Sequence, residues 1–181
     1  MHISRAVMTG LALLVLATST SAEAKKGSDE QLAVDVQDAM ERFQAKDSSF
    51  KATLGKLAGY AIFPEVAKGG FIVGGAGGRG EVYAGGTLIG YAKLSQGTVG
   101  AQIGGQKFAE IILFRTKSAL NRFKKNRLEL SAQATANVAD QGGAANAKYA
   151  DDIAIIVVPT SGLMAEASIG GQKLNFTPLP K

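Results

Sequence analysis

Glycine spacing between Tyr60 and Lys107 constrains this chain more than any other feature. The chain holds 23 glycines, and 16 of them fall between Gly55 and Gly105. Glycine packs nothing itself and costs backbone entropy on folding. Such density implies tight turns, bulges, or places where one backbone lies close against another. The residues between the glycines are β-branched or aromatic, among them Ile62, Phe63, Val82, Tyr83, Ile89 and Tyr91. That composition favours strands over helices. Strands are expected at 69–73, 80–84, 87–94 and 98–106, with a hairpin at Gly85-Gly86 and a turn at Gln96-Gly97. Residues 108–114 (FAEIILF) form a nearly continuous apolar run and read as a central strand.

The flanks read differently. Ser28, with Asp29 and Glu30 in the first turn and Gln31 completing a capping box, predicts a helix start. Leu32, Val36, Met40 and Phe43 then form one apolar stripe that ends near 45–47. Asp47-Ser48-Ser49 predicts a second, short helix carrying Phe50, Leu54 and Leu57, and Pro64 closes the apolar run that follows. Thr116 predicts the cap of a helix reaching Lys125 or Asn126, with Leu120 and Phe123 turned inward. Alternation predicts strands at 128–140 and 163–169, and an apolar run predicts a buried one at 153–158. Ile103-Gly104-Gly105-Gln106-Lys107 recurs as Ile169-Gly170-Gly171-Gln172-Lys173, either as two equivalent corners of one sheet or by coincidence. The expectation is an α+β domain. It has two N-terminal helices, a strongly bent, mostly antiparallel, barrel-like sheet, and one basic helix packed on it.

Residues 1–24 read as a secretory signal: Arg5, an apolar run at 7–17 too short to span a bilayer, then small residues. Ala22-Glu23-Ala24 fits a cleavage site, and Thr20-Ser21-Ala22 is a second candidate. Residues 25–181 are then one domain, helical over 28–58 and β-rich over 59–181. The expected location is the periplasm or envelope, or outside the cell. The chain has no Cys, and its one His, His2, leaves with the signal. A His-based triad, a Cys nucleophile and the usual zinc or copper ligand sets are therefore excluded from the mature chain.

Other motifs fail on context. Gly75-Ala76-Gly77-Gly78-Arg79-Gly80 matches G-x-G-x-x-G, but no helix follows and no acid stands about 20 residues on. Residues 100–107 fail as a P-loop, because Phe108 stands where Ser or Thr should bind magnesium. Asp151-Asp152 lacks a calcium-loop pattern around it. Glu65 and Glu81 flank the glycine block as an imaginable acid/base pair, but nothing in the sequence brings them together. No cofactor and no metal are expected.

Charge is unevenly placed. Residues 29–47 carry six acids and two bases, residues 48–127 twelve bases and three acids, and the chain overall is +5. Arg115, Lys117, Arg122, Lys124, Lys125 and Arg127 form a segment without an acid around Leu120 and Phe123. A solvated helix face explains such a run; so does a surface for anionic headgroups, to which each basic side chain contributes about 1 kcal/mol. No nucleic-acid motif accompanies it.

The run from Ala61 through Phe63-Pro64-Glu65-Val66-Ala67-Lys68-Gly69-Gly70-Phe71 to Gly75 resembles the SYLF domain, as do Gly78-Arg79-Gly80-Glu81-Val82, residues 97–106 and the FAEIILF strand. The resemblance implies a lipid-binding module without catalytic residues. Phosphoinositide binding is described for animal members and actin binding for fungal ones. The exported compartment speaks against the actin role. The expected function is non-enzymatic binding of anionic lipid or a membrane surface. Lys117, Arg122, Lys124, Lys125 and Arg127 are the headgroup contacts, with Lys68 and Arg79 as weaker candidates. The alternatives are a structural envelope protein, a protein-interaction module or self-association.

Overall fold

The computed structural model describes residues 9–70, 73–99, 106–126, 128, 135–138, 142–161, 167–168 and 171–180. Helix α1 spans Thr9–Lys46 and α2 Phe50–Leu54. Strands β1 (Gly59–Gly70), β2 (Val73–Ala84), β3 (Thr87–Val99) and β4 (Gln106–Phe114) follow, then α3 (Lys117–Lys124). Strands β5 (Thr135–Val138), β6 (Ile153–Ser161), β7 (Ala167–Ser168) and β8 (Lys173–Pro178) complete the order. Six strands pair antiparallel in the order β6-β4-β1-β2-β3-β8; β5 adds parallel to β6, and β7 adds to β5.

Alternation along the strands builds two cores. On one sheet face, Leu32, Val36, Ala39 and Phe43 of α1 and Phe50 and Leu54 of α2 meet Ile62, Ile111 and Leu113. Each of these large side chains contributes roughly 2 kcal/mol by leaving water. On the other face, Phe63, Phe108, Ile112 and Phe114 meet Leu120 and Phe123 of α3 and Leu174 of β8.

The sheet is strongly curled. Phe123 lies 4.9 Å from Phe114 of β4 and 6.0 Å from Phe176 of β8, centroid to centroid. On a flat sheet those strands would stand four spacings apart, about 19 Å. Glycine permits the curl. A Cβ on Gly80 would overlap the Ile62 carbonyl oxygen and sit 2.8 Å from the Phe63 ring; one on Gly78 would meet the Glu65 carbonyl at 2.7 Å. The G-x-G-x-x-G run is thus a close backbone contact within β2, as its missing context implied.

Several expectations are corrected. The sheet is curled but open, not barrel-like, because β8 and β7 stand at opposite ends of the strand order. The outward N–H of Phe176 in β8 donates instead to Asn126 Oδ1 at 2.7 Å, so the exit of α3 covers this edge where a barrel would need a strand. The first N-terminal helix does not start at Ser28 but runs unbroken through it from Thr9 to Lys46, and the second, α2, is a single short turn that ends at Leu54. Ser28 caps nothing; its Oγ accepts a hydrogen bond from Arg79 Nη1 at 2.6 Å. Pro64 does not end its strand. Pairing of β1 with β2 and with β4 skips at this point, and the bulge accommodates a residue without an N–H. Arg42 of α1 donates to the Pro64 carbonyl at 3.1 Å. Gln96-Gly97 lies inside β3, opposite Ala76 and Gly75, because the Gly85-Gly86 turn sets a long, regular hairpin. Both turn glycines have positive φ, +57° and +80°, as a tight two-residue turn requires. Of the strand expected at 128–140, residues 135–138 are strand, and Leu128 is not. Of the one expected at 163–169, residues 167–168 are strand; 163–166 and 169 lie outside the described residues. The two Gln-Lys repeats stand at the entrances of β4 and β8.

One carboxyl interrupts the curled interior. Glu110 lies between Phe108 and Ile112 on β4, with none of its surface exposed. Its Oε2 accepts from Gln172 Nε2 at 3.0 Å, and its Oε1 has no partner among the described residues. Burial without a cation pushes its pKa up to about 7, against the smaller opposing effect of the Gln172 hydrogen bond.

Two measurements test this account. Gly80→Ala should lower stability in denaturant by about 2 kcal/mol or more. Gly97→Ala, where a Cβ meets nothing within 4 Å, should leave it unchanged or slightly raised. For Glu110 the folded pKa lies above the unfolded one. Stability is therefore greatest below about pH 4.5 as far as this group is concerned, and falls as pH rises to about 7. The loss should total about 3 kcal/mol. Glu110→Gln should remove that slope from the pH dependence of the unfolding free energy; an unaltered slope would refute the assignment.

Candidate functional site: the outer face of helix α3

Helix α3 is amphipathic because its apolar positions fall on one side. Thr116 caps it, its Oγ1 accepting from the Ala119 N–H at 3.3 Å. Ala119, Leu120 and Phe123 are buried against β1, β4 and β8. Lys117, Lys124 and Lys125 are exposed and form no ion pair within 4 Å among the described residues. Lys124 and Lys125 sit at the C-terminal end, where the helix dipole favours cations.

The segment that is free of acids in sequence is not free of them in space. The turn Asp151-Asp152, with φ of +49° and +66°, comes up beside α3. Arg115 donates to Asp152 Oδ1 from Nε at 2.9 Å and from Nη2 at 2.5 Å, and its guanidinium lies 4.9 Å from the centre of the Tyr149 ring. Hydrogen bonds from Arg115 and Thr116 hold the Asp152 carboxyl below its ordinary range. Arg122 is half-buried and donates to the Asp151 carbonyl at 2.6 Å. The uncompensated charge therefore rests on the three lysines. Arg127 lies outside the described residues.

Lys68 and Arg79 lie elsewhere. Lys68 occupies β1 opposite Ala76 and Gln106, nine residues along from Gly59, the residue that Leu120 of α3 touches. That separation is roughly 30 Å along a strand. Arg79 is on the face covered by α1. It pairs with Asp29, donates to Ser28, and lies 5.4 Å from the centre of the Tyr91 ring. Asp29 and Arg79 line a cleft of about 580 Å³ with Tyr91, Lys93 and the tail at 177–180.

The two flanking carboxylates do not form an acid/base pair. Glu65 is exposed and pairs with Lys107 at 2.9 Å, whereas Glu81 is buried and accepts from the Tyr83 hydroxyl at 2.5 Å. Burial, then that hydrogen bond, pushes the Tyr83 pKa up, so the phenol stays protonated. No group of three or more metal-ligating side chains converges among the described residues. No helix of the described residues is long and apolar enough to cross a membrane. Among those residues the one exposed large apolar side chain is Val34, on α1. No described apolar patch therefore shares the face of the three lysines.

Sequence reasoning passed over two internal polar sites. Glu110 was hidden in the apolar run FAEIILF, where a lone acid was the available signal. Asp47, in the capping cluster, accepts from Ser49 N–H and Oγ as a cap would; it also accepts from the Ala144 N–H at 2.9 Å, which ties the α1–α2 turn to the loop at 142–147. Burial works to raise its pKa, but these hydrogen bonds outweigh it and hold the carboxyl low.

No curated protein matches the chain. Residues 95–177 match the family model Ysc84, described as "Las17-binding protein actin regulator". That segment holds the end of β3, β4, α3 and β5 to β8 up to Thr177. The Phe-Pro-x-Val-x-Lys-Gly-Gly run lies before it, on β1, which the sheet places between β4 and β2. Residues 95–177 are thus similar to the SYLF (Ysc84) domain, the family that the residues of β1 and β2 also resemble.

Proposed function

We propose that this protein is a non-enzymatic, exported membrane-binding protein that engages anionic lipid headgroups through α3. The observation that carries the reading is the set of exposed lysines without ion-pair partners among the described residues, Lys117, Lys124 and Lys125, on a helix whose opposite side is buried. Arg122 lies between Lys117 and Lys124 in the chain, and Arg127 follows Lys125. The family is one of lipid- or actin-related binding and is not an enzyme family, which supports a binding role. With no described apolar patch beside the lysines, contact is peripheral and electrostatic.

Residues 1–24 supply the export signal in this reading, supported by Arg5, the short apolar run and the small residues after it. N-terminal sequencing of the protein recovered from the envelope should begin at Lys25, or at Glu23 if the upstream site is cut. A chain still starting at Met1 there overturns the signal assignment.

Co-sedimentation with vesicles tests the surface. Binding to vesicles rich in anionic phospholipid should appear at low salt and vanish near 0.5 M salt, where the screening length falls to roughly 4 Å. It should also be absent from zwitterionic vesicles. Lys117→Glu with Lys124→Glu and Lys125→Glu should weaken binding by about 100-fold or more, from roughly 1 kcal/mol for each lysine. Unchanged binding in that variant sinks the assignment of α3. Tight binding to a protein partner with no vesicle affinity would favour an interaction module, the role that the family description names.

A further inference from the structure

Among the described strands β8 is an edge strand paired only with β3, yet the residue before it reaches across the curled sheet. Gly171 adopts φ +74°, a backbone conformation that favours glycine, with open space around its Cβ position. Gln172, 3% exposed, follows and donates to Glu110 of β4; Leu174 then enters the same apolar interior. Among the described residues, Glu110 Oε1 and Gln172 Oε1 both lack partners although both are buried.

We propose that Glu110 and Gln172 form a proton-operated strap that holds β8 closed over the interior of the curled sheet. With a proton on Glu110, the two unpartnered oxygens become complementary. The carboxylic acid donates from one oxygen to Gln172 Oε1 while the amide N–H donates back to the other. A small rotation of either group closes that ring of two hydrogen bonds. Loss of the proton removes the donor and leaves a charge in an apolar setting, which is costly unless water enters. The elements packed on this face are β1, β2, β3, β6, β8 and α3, and the side chains that they bury around Glu110 are apolar, save the amides Gln96 and Gln172. The group best placed to yield is segment 171–174 at the edge, since β4 is held on both sides by β1 and β6. Raised pH therefore frees β8 and opens the interior to solvent. The burial-raised titration of Glu110 puts this change near neutrality.

Hydrogen exchange on the full chain, read by mass spectrometry on peptides covering 171–180, tests the strap between about pH 6 and about pH 8.5. After correction for base-catalysed exchange, protection of β8 should fall about tenfold for each pH unit above the midpoint. Peptides from β1 and β4 should keep theirs. Glu110→Gln, which retains a donor at all pH values, should hold β8 protected throughout. Gln172→Leu, which leaves Glu110 in place, should lower β8 protection already at pH 6. Equal β8 protection at both pH values in the natural chain overturns the proposal, as does unchanged protection in Gln172→Leu.

Discussion

Close packing of β2 against β1 at glycine is the contact on which the rest of this structure depends. Gly78 and Gly80 bring the β2 backbone so near β1 that no side chain fits between them. The bulge at Pro64 lies in the same place and interrupts both ladders of β1 at once. Bulges and glycines are the two devices that bend a sheet sharply. Bending here lets a six-strand antiparallel sheet enclose its own core. Without it, Phe114 of β4 and Phe176 of β8 could not both touch Phe123.

The curl divides the molecule into an inside and an outside with different demands. Outside, α1 covers the sheet with an apolar stripe and is pinned through Arg42 and Arg79, so its acids lie on the surface. Inside, α3 fills the opening and leaves its lysines facing water. The basic surface is therefore a consequence of packing. Burial of Leu120 and Phe123 turns the other side of a short helix outward, and the residue types there make it cationic. The price of the enclosed interior is that any polar group within it has few partners, which is the condition of Glu110 and Gln172.

Much of this was legible in the residues themselves. Hairpin Gly85-Gly86, central strand β4, the Thr116 cap and the inward pair Leu120 and Phe123 follow from turn chemistry and periodicity. The limits were equally physical. Ser28-Asp29-Glu30-Gln31 has every local mark of a helix start, yet the helix runs through it and Ser28 serves Arg79 instead. Pro64 has the mark of a strand end, yet a bulge accommodates it. Gln96-Gly97 looks like a turn, but the ladder with β2 overrides a weak local preference.

The sequence by itself determined that the chain would be glycine-rich β structure with an amphipathic basic helix, and that the segment after residue 24 would lack the His and Cys of common catalytic and metal sites. Those properties depend on composition and on neighbours a few residues apart. Tertiary structure alone decided which charges remain free. It brought Asp152 to Arg115, Asp29 to Arg79 and Gln172 to Glu110, across separations of 37, 50 and 62 residues. No local rule reaches that far. Such pairs are set by strand order and curl, so the candidate surface narrowed to three lysines only once the sheet had placed its acids.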